Sequence, residues 1–371
     1  MKKVGITGQA GFVGRHLFNF LKLKKNIELI PFEDDFFYDE STLRKFVRQC
    51  DVIVHLAAMN RHNDPQILYN KNVELVLRLI NAMDQTNVRP HVIFASSTQE
   101  DLDNPYGRSK KEGRKLLSTW ANENGAKFTG LIIPNIFGPF GQPYYNSVVA
   151  TFSHQLTHGE KPKILSDKEI NLLYVGNLVR KIYEIIEAEK EEAVLRLSFD
   201  KKIYVSEILE KLVEYKTTYF QNGILPDLKD NFDINLFNTF RCYIDLDKFF
   251  PYNLKINRDE RGAFVEVTKT NIGGQFSFSS TKPGITRGNH FHTRKIERFI
   301  VIKGKAKIEM RRIGTEKVFS FELDGENPSF VDMPIWYTHN ITNIGEETLY
   351  TLFWINEFYD PNDPDTFFEK V

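Results

Sequence analysis

Cysteine is nearly absent from this chain: 371 residues hold two, Cys50 and Cys242. Two distant thiols cannot build a disulfide framework, and neither belongs to a Cys-x-x-Cys metal or redox pair. Net charge is missing as well, because 49 Lys and Arg balance 49 Asp and Glu. That balance lacks the basic excess of a nucleic-acid binder or of a protein held on an anionic membrane. No apolar run reaches the roughly 20 residues that a spanning helix needs. There is no internal repeat and no low-complexity segment. The N-terminus opens directly on a strand-like run and shows no signal peptide, so a cytoplasmic protein without membrane or nucleic-acid partners is expected. Hydrophobic residues make up 41% of the chain, enough for real cores, and the length suggests about two or three domains.

The N-terminal half alternates short apolar runs with helical periodicity. Strands are predicted over 2–7, 28–32, 51–58, 91–97 and 128–135, and helices over 15–25, 41–49 (with Ser41 as N-cap), 64–85 and from 106 onward. Alternation of this kind points to a doubly wound parallel sheet. Between the first strand and its helix lies Gly8-Gln9-Ala10-Gly11-Phe12-Val13-Gly14. Glycines in that context permit a tight turn and close approach to a pyrophosphate, which the helix N-terminus attracts. Further on, Tyr106 and Lys110 stand four residues apart and share one helical face. A lysine ammonium beside a phenol lowers its pKa, so a Tyr able to exchange a proton with a sugar oxygen is expected there.

These pieces, together with His55-Leu56-Ala57-Ala58, Asn72-Val73, Ser96-Ser97 and Asn135-Ile136-Phe137-Gly138-Pro139, resemble the extended short-chain dehydrogenase/reductase family, whose members act on nucleotide sugars. The resemblance covers roughly 1–245. It implies a catalytic set of Ser97, Tyr106 and Lys110. It implies a dinucleotide held by Gly8, Gly11, Phe12, Val13, Gly14, Leu56, Ala57, Tyr106 and Lys110, with Ser97 and Asn135 at the substrate. Asn72 matches the family's helix Asn, which tethers backbone between strands. Two features depart from the family: Ser97 and Tyr106 are only nine residues apart, and the acids Glu33, Asp34 and Asp35 precede a short connection to Ser41. An acid at that distance from the glycines reads an NAD ribose, whereas the short connection is like that of deoxysugar 4-ketoreductases and favours NADPH.

After about residue 245 helical periods give way to short β-rich runs, the pattern of an all-β barrel over 246–371. Gly284, His290, His292, Glu297 and Gly304, then Pro334, His339 and Asn343, match the two cupin motifs, with Trp336 where the second usually has Gly. His290 and His292 alternate along a strand and point to the same side. With Glu297 and His339 they form a donor set for Zn²⁺, Fe²⁺, Mn²⁺ or Ni²⁺, Zn²⁺ leading. Arg287-Gly288-Asn289-His290 also resembles metal-free deoxysugar epimerases that use the His as a base. Asp259-Glu260-Arg261-Gly262-Ala263-Phe264 is like the start of those proteins too.

An extended reductase fused to an epimerase-like cupin resembles the bifunctional enzymes of capsular polysaccharide synthesis. What that implies is C3 epimerisation in the cupin, then NADPH-dependent reduction of the C4 ketone, on a UDP-linked 2-acetamido-2,6-dideoxy-hexos-4-ulose towards UDP-N-acetyl-L-fucosamine, in a homodimer. The cupin base stays open among Tyr337, Lys303 and Asp332. The alternative is a nucleotide-sugar 4-epimerase or dehydratase whose cupin is a non-catalytic dimerisation module.

Overall fold

The computed structural model describes residues 1–371. The chain divides into two compact units: Met1–Phe137, Tyr144–Ser147 and Lys168–Ile203 form the first, and Gly138–Pro143, Val148–Asp167 and Tyr204–Val371 the second.

In the first unit β1 (Lys2–Thr7), α1 (Phe12–Lys22), β2 (Ile27–Ile30), α2 (Glu40–Val47), β3 (Val52–His55), α3 (Pro65–Thr86), β4 (His91–Ser97), α4 (Pro105–Asn124) and β5 (Phe128–Ile133) follow in order. After β5 come β6 (Asn135–Phe137), β7 (Glu169–Tyr174), α6 (Val175–Ala188) and β8 (Glu192–Arg196), while α5 (Val148–Thr157) belongs to the second unit. The main sheet runs β2-β1-β3-β4-β5-β8, and every pairing in it is parallel. Its inner strands β3 and β5 are buried at every residue, as a sheet covered on both faces requires. One face packs under α2, α3 and α4 through Phe46, Leu79 and Trp120, the other under α1 and α6 through Leu17, Leu21 and Ile182. Strand order reverses between β1 and β3, which opens a crevice at their carboxyl ends.

Helix starts follow local chemistry. The expected cap Ser41 is not the cap: Asp39 fills that place, its carboxylate accepting from the backbone N–H of Ser41 at 2.9 Å and of Thr42 at 3.3 Å. The Asp39 carboxylate reaches two orphan donors, whereas Ser41, two residues later, already lies inside the helix; such a cap contributes about 1 kcal/mol. The first helix begins at Phe12 rather than 15, because Gly11 serves as its N-cap. Asn104 and Pro105 start α4 as N-cap and first helical residue.

The second unit adds α7 (Val205–Tyr215), α8 (Asn231–Arg241) and α9 (Leu246–Phe249) to the strands, with β9 (Lys201–Tyr204) leading in. The strands are β10 (Tyr252–Asn253), β11 (Ile256–Asp259), β12 (Gly262–Val265), β13 (Gln275–Thr281), β14 (Thr286–Phe291) and β15 (Glu297–Lys303), then β16 (Lys305–Arg312), β17 (Val318–Asp324), β18 (Ser329–Met333), β19 (Tyr337–Asn343), β20 (Leu349–Ile355) and β21 (Phe367–Phe368). They form two five-stranded sheets, β10-β18-β15-β20-β13 and β17-β16-β19-β14-β21, plus the β11-β12 hairpin. This is the cupin-type β fold, enclosing Ile300, Ile308, Met310 and Val331.

Residues 204–245, expected with the dinucleotide fold, group with the strands instead. The reason is a buried polar cluster. Arg298 binds Asp332 through two bonds of 2.7 and 2.9 Å, Asp332 also accepts from the Tyr219 hydroxyl at 2.9 Å, and Arg298 donates to the Gly223 carbonyl at 3.0 Å. Arg241 on α8 donates to the Met333 carbonyl at 2.9 Å. Breaking one partner of such a buried pair costs about 3–5 kcal/mol, so the helices and strands are committed to one another.

Candidate active site and candidate metal centre

In the first unit the glycine turn closes on the end of β3. Gly8 has φ +69°, and a Cβ there would lie 2.8 Å from the Ala57 nitrogen. At Gly14 a Cβ would meet the Gly8 carbonyl oxygen at 2.2 Å, so neither position accepts a side chain without backbone movement. Phe12 and Val13 open α1 directly after the Gly11 cap, and Leu56 and Ala57 follow the last residue of β3. All the expected dinucleotide residues of the turn therefore stand at the carboxyl ends of β1 and β3. The acids Glu33, Asp34 and Asp35 are exposed, past the end of β2.

Tyr106 lies in the first turn of α4 and Lys110 one turn later. Ser97 ends β4 in register with Ile133 of β5, and Asn135 is exposed two residues further on. Lys110 is 3% exposed, its ammonium 4.4 Å from the centre of the Phe94 ring. Asn72 ties α4 to the β3 loop: its amide nitrogen donates to Ser109 Oγ and to the Met59 carbonyl, each at 3.0 Å, and its carbonyl accepts from Met59 N–H at 2.7 Å.

The electrostatics reverse one expectation. Burial pushes the Tyr106 phenol up to about 12 and pulls Lys110 down to about 7. Both groups are crowded by protein: for Tyr106 burial is joined by Tyr145, which acts in the same direction, and for Lys110 burial outweighs the opposing effect of Glu100. Tyr106 is thus firmly protonated, the form that donates a proton. Ser97 Oγ accepts from Gln99 N–H at 3.2 Å, which leaves its own hydrogen available. His55, read from the sequence only as part of a motif and given no role, is wholly buried. Its Nδ1 shares a 2.7 Å hydrogen bond with Thr7, its Nε2 has no partner, and burial lowers its pKa to about 3.

In the second unit the four expected donors converge. His290 on β14 stands directly opposite His339 on β19, in one sheet, and Glu297 opens β15 in the other. The ligand atoms of His290, His292, Glu297 and His339 lie within 4.8 Å of one another. Glu297 Oε2 is 3.2 Å from His292 Nε2 and 3.1 Å from His339 Nε2. Burial raises the Glu297 pKa and these two imidazoles lower it further, so it remains a carboxylate. Burial with the neighbouring rings lowers His290 to about 4.

The outer contacts fix the tautomers. His292 Nδ1 is 2.6 Å from the Asp365 carbonyl, and His339 Nδ1 is 3.1 Å from the Tyr337 carbonyl. A carbonyl only accepts, so each Nδ1 carries a proton, and each Nε2 faces Glu297, free to ligate through its lone pair once a cation displaces the proton there. His339 Nε2 is fully buried and makes no well-aligned hydrogen bond, although Glu297 Oε2 lies 3.1 Å from it. An orphaned imidazole nitrogen among two further imidazoles and a carboxylate fits a divalent cation.

Asp365 was invisible to sequence reasoning. It lies 73 residues from His292, and its carboxylate accepts from the N–H groups of Thr293, Arg294 and Lys295 at 3.0–3.2 Å. No local pattern marks such a distant clamp. Trp336 adopts φ +63°, the left-handed backbone that a Gly would take. Its N–H donates to the His292 carbonyl at 2.8 Å and its ring stacks on Phe291 at 5.6 Å. The turn survives the substitution, and the stacking offsets a conformational cost of about 1–2 kcal/mol. Among the base candidates, Asp332 is held in its ion pair and Lys303 faces solvent beside Glu347.

The profile of the NAD dependent epimerase/dehydratase family matches residues 4–196, and that of the polysaccharide biosynthesis C-terminal domain matches 257–367. The chain belongs to the NAD-dependent epimerase/dehydratase family, and it is an enzyme of the short-chain dehydrogenase/reductase class with a cupin-like C-terminal fold. Across its full length it is similar to UDP-2-acetamido-2,6-beta-L-arabino-hexul-4-ose reductase of Pseudomonas aeruginosa, at 34% identity over 98% of both chains. The crystal structure of the capsular polysaccharide assembling protein CapF from Staphylococcus aureus matches over 100% of both chains, at 34% identity and a TM-score of 0.63. The fold alone is shared with RMD from Pseudomonas aeruginosa complexed with NADPH, which covers 58% of this chain and 83% of its own at 20% identity and a TM-score of 0.52.

Proposed function

We propose that the chain is a bifunctional sugar-nucleotide enzyme of polysaccharide synthesis. It epimerises C3 of a UDP-linked 2-acetamido-2,6-dideoxy-hexos-4-ulose in the cupin region, 246–371, and then reduces the C4 ketone with NADPH in the reductase region, 1–245, towards UDP-N-acetyl-L-fucosamine. The reading includes a homodimer working in the cytoplasm. The observation that carries it is the presence, in one chain, of two separate donor sets: Tyr106, Lys110 and Ser97 in one unit, and three imidazoles with a carboxylate in the other. A 4-epimerase with a passive cupin has no use for the second set.

A bound NADPH would supply hydride for C4, and the negative charge then building on O4 is what this chain's residues must meet. Tyr106 donates its phenolic proton to O4, which its raised pKa keeps in place until then. Ser97 donates a hydrogen bond to the same oxygen, and Lys110 would hold the nicotinamide ribose and, as an ammonium, stabilise the phenolate that forms. The glycine turn and the start of α1 hold the pyrophosphate. In the cupin, His290, His292, Glu297 and His339 would hold a divalent metal, Zn²⁺ first, whose chemistry there is Lewis-acid polarisation of the keto or enediolate oxygen. The imidazoles are aimed by the Asp365 and Tyr337 carbonyls, and the carboxylate offsets the charge.

The test is product NMR after incubation of the full chain with a UDP-4-keto-6-deoxy-N-acetylhexosamine and NADPH in D₂O. Deuterium at C3 and a reduced C4 are expected together. Reduction with C3 protium fully retained would sink the epimerase half and favour a passive cupin.

Asp365→Ala keeps the backbone carbonyl that accepts from His292 Nδ1 but removes the carboxylate that pins the N–H groups of Thr293, Arg294 and Lys295, so the segment after His292 loosens. Outer-shell losses of this kind cost about 10–100-fold in metal affinity, and that range is expected for Zn²⁺ by competition with a chromogenic chelator. An unchanged Zn²⁺ affinity would remove Asp365 from the support of the site.

A further inference from the structure

The nine-residue step from Ser97 to Tyr106 leaves little chain to set their distance. It folds as a 3₁₀ turn, Thr98–Asp101, capped by Ser97, and runs straight into Asn104, the N-cap of α4. The turn presses on the helix: a Cβ on Gly107 would fall 1.9 Å from the Gln99 carbonyl oxygen. Within it Glu100 is only 7% exposed. Its carboxylate accepts from Ser96 Oγ, the neighbour of Ser97, and from Arg114, whose Nε lies 3.0 and 3.1 Å away and whose Nη2 lies 2.8 Å away. Arg114 follows Tyr106 and Lys110 at four-residue steps, so the three share one face of α4.

We propose that the pair of buried Glu100 and half-buried Arg114 is a positioning device for the reduction, locking the end of β4 that carries Ser97 to the helix that carries Tyr106, in place of the longer loop of related reductases. The inference rests on the reading of Ser97 and Tyr106 given above. A bidentate Arg fork against a carboxylate fixes angle as well as distance. Because the acid is hydrogen-bonded to Ser96 and the base is rooted in α4, slack in the pair becomes slack between the two groups that face O4. Glu100 also raises the Lys110 pKa against the effect of burial, so the same pair supports the charge one turn away. An ion pair with a purely structural role would fit the same distances, and kinetics separate the two.

The experiment uses the full chain as wild type, Arg114→Gln, Arg114→Lys, Glu100→Gln and Tyr106→Phe. It reads kcat for reduction of the 4-keto sugar, NADPH Kd by cofactor fluorescence, and thermal midpoint. A misplacement of about 1 Å can cost up to about 10²-fold. Arg114→Gln and Glu100→Gln are therefore expected to lower kcat by 10- to 100-fold, with NADPH Kd within about twofold of wild type. Arg114→Lys should recover part of the loss. Glu100→Gln keeps the shape of the acid and answers the question if Arg114→Gln does not fold. An unchanged kcat in both Gln variants, with Tyr106→Phe inactive, overturns the positioning role and leaves the Tyr106 reading intact. Parallel loss of kcat, NADPH affinity and thermal stability, unrelieved by Arg114→Lys, also overturns it. Full reduction by Tyr106→Phe instead overturns the reading on which it rests.

Discussion

Tyr106→Phe is expected to lower NADPH-dependent reduction by about 10²–10⁴-fold, the usual worth of a positioned general acid. The change deletes one oxygen and leaves the ring, so packing in the first turn of α4 should persist. Binding of NADPH should change little, because the glycine turn and Lys110 are untouched. Deuterium exchange at C3 should continue, since the His and Glu donors all lie in the other unit. Single-turnover oxidation of NADPH, followed at the nicotinamide absorbance, measures the first effect, and NMR in D₂O the second. Retained reduction would take the proton-donor role away from Tyr106. Loss of exchange together with reduction would argue against two independent sites.

The second large effect is expected from His290→Ala. His290 is one of three imidazoles around Glu297, and its ring centre lies 4.7 Å from that of His339. Its removal leaves His292, His339 and Glu297, so Zn²⁺ affinity should fall steeply and C3 exchange with it. Elemental analysis of the purified variant should give well below the wild-type metal content per chain. Reduction of an already epimerised substrate should proceed at the wild-type rate. Full metal content in this variant would remove His290 from the ligand set and revive its role as a base in metal-free chemistry. If the metal serves only the fold, the thermal midpoint should fall, and added Zn²⁺ should restore the midpoint without restoring exchange.

How much of this was legible in the sequence depended on distance along the chain. The parallel strands could be read because burial on both faces makes 52–55 and 128–133 mostly apolar runs, broken only by His55 and Thr129. The glycine turn was legible for the same local reason: Gly8 and Gly14 have no room for a Cβ. The four putting-together residues of the cupin stood at family spacing within two short segments, and the structure brings all four together. Illegible were the partners made only by folding. Asp365 reaches back 73 residues to His292, and Asp332 meets Tyr219 across 113. The raised pKa of Tyr106 was equally hidden, because a helical wheel shows a neighbouring charge but not the loss of water around both groups. The boundary near 245 followed the change in hydrophobic period, which marks where helices stop and not where packing stops.

The cluster around Arg298 and Asp332 bears on modularity. A chain cut at 245 would keep both ion-pair partners but lose the Tyr219 hydroxyl, the Gly223 carbonyl and the Arg241 guanidinium that complete the cluster. The β-rich region would then hold Arg298, Asp332 and the Met333 carbonyl without the partners that complete their hydrogen bonds. A seam nearer residue 204 than 245 would keep that cluster whole, but no single cut separates the two units, because Gly138–Pro143 and Val148–Asp167 also belong to the second.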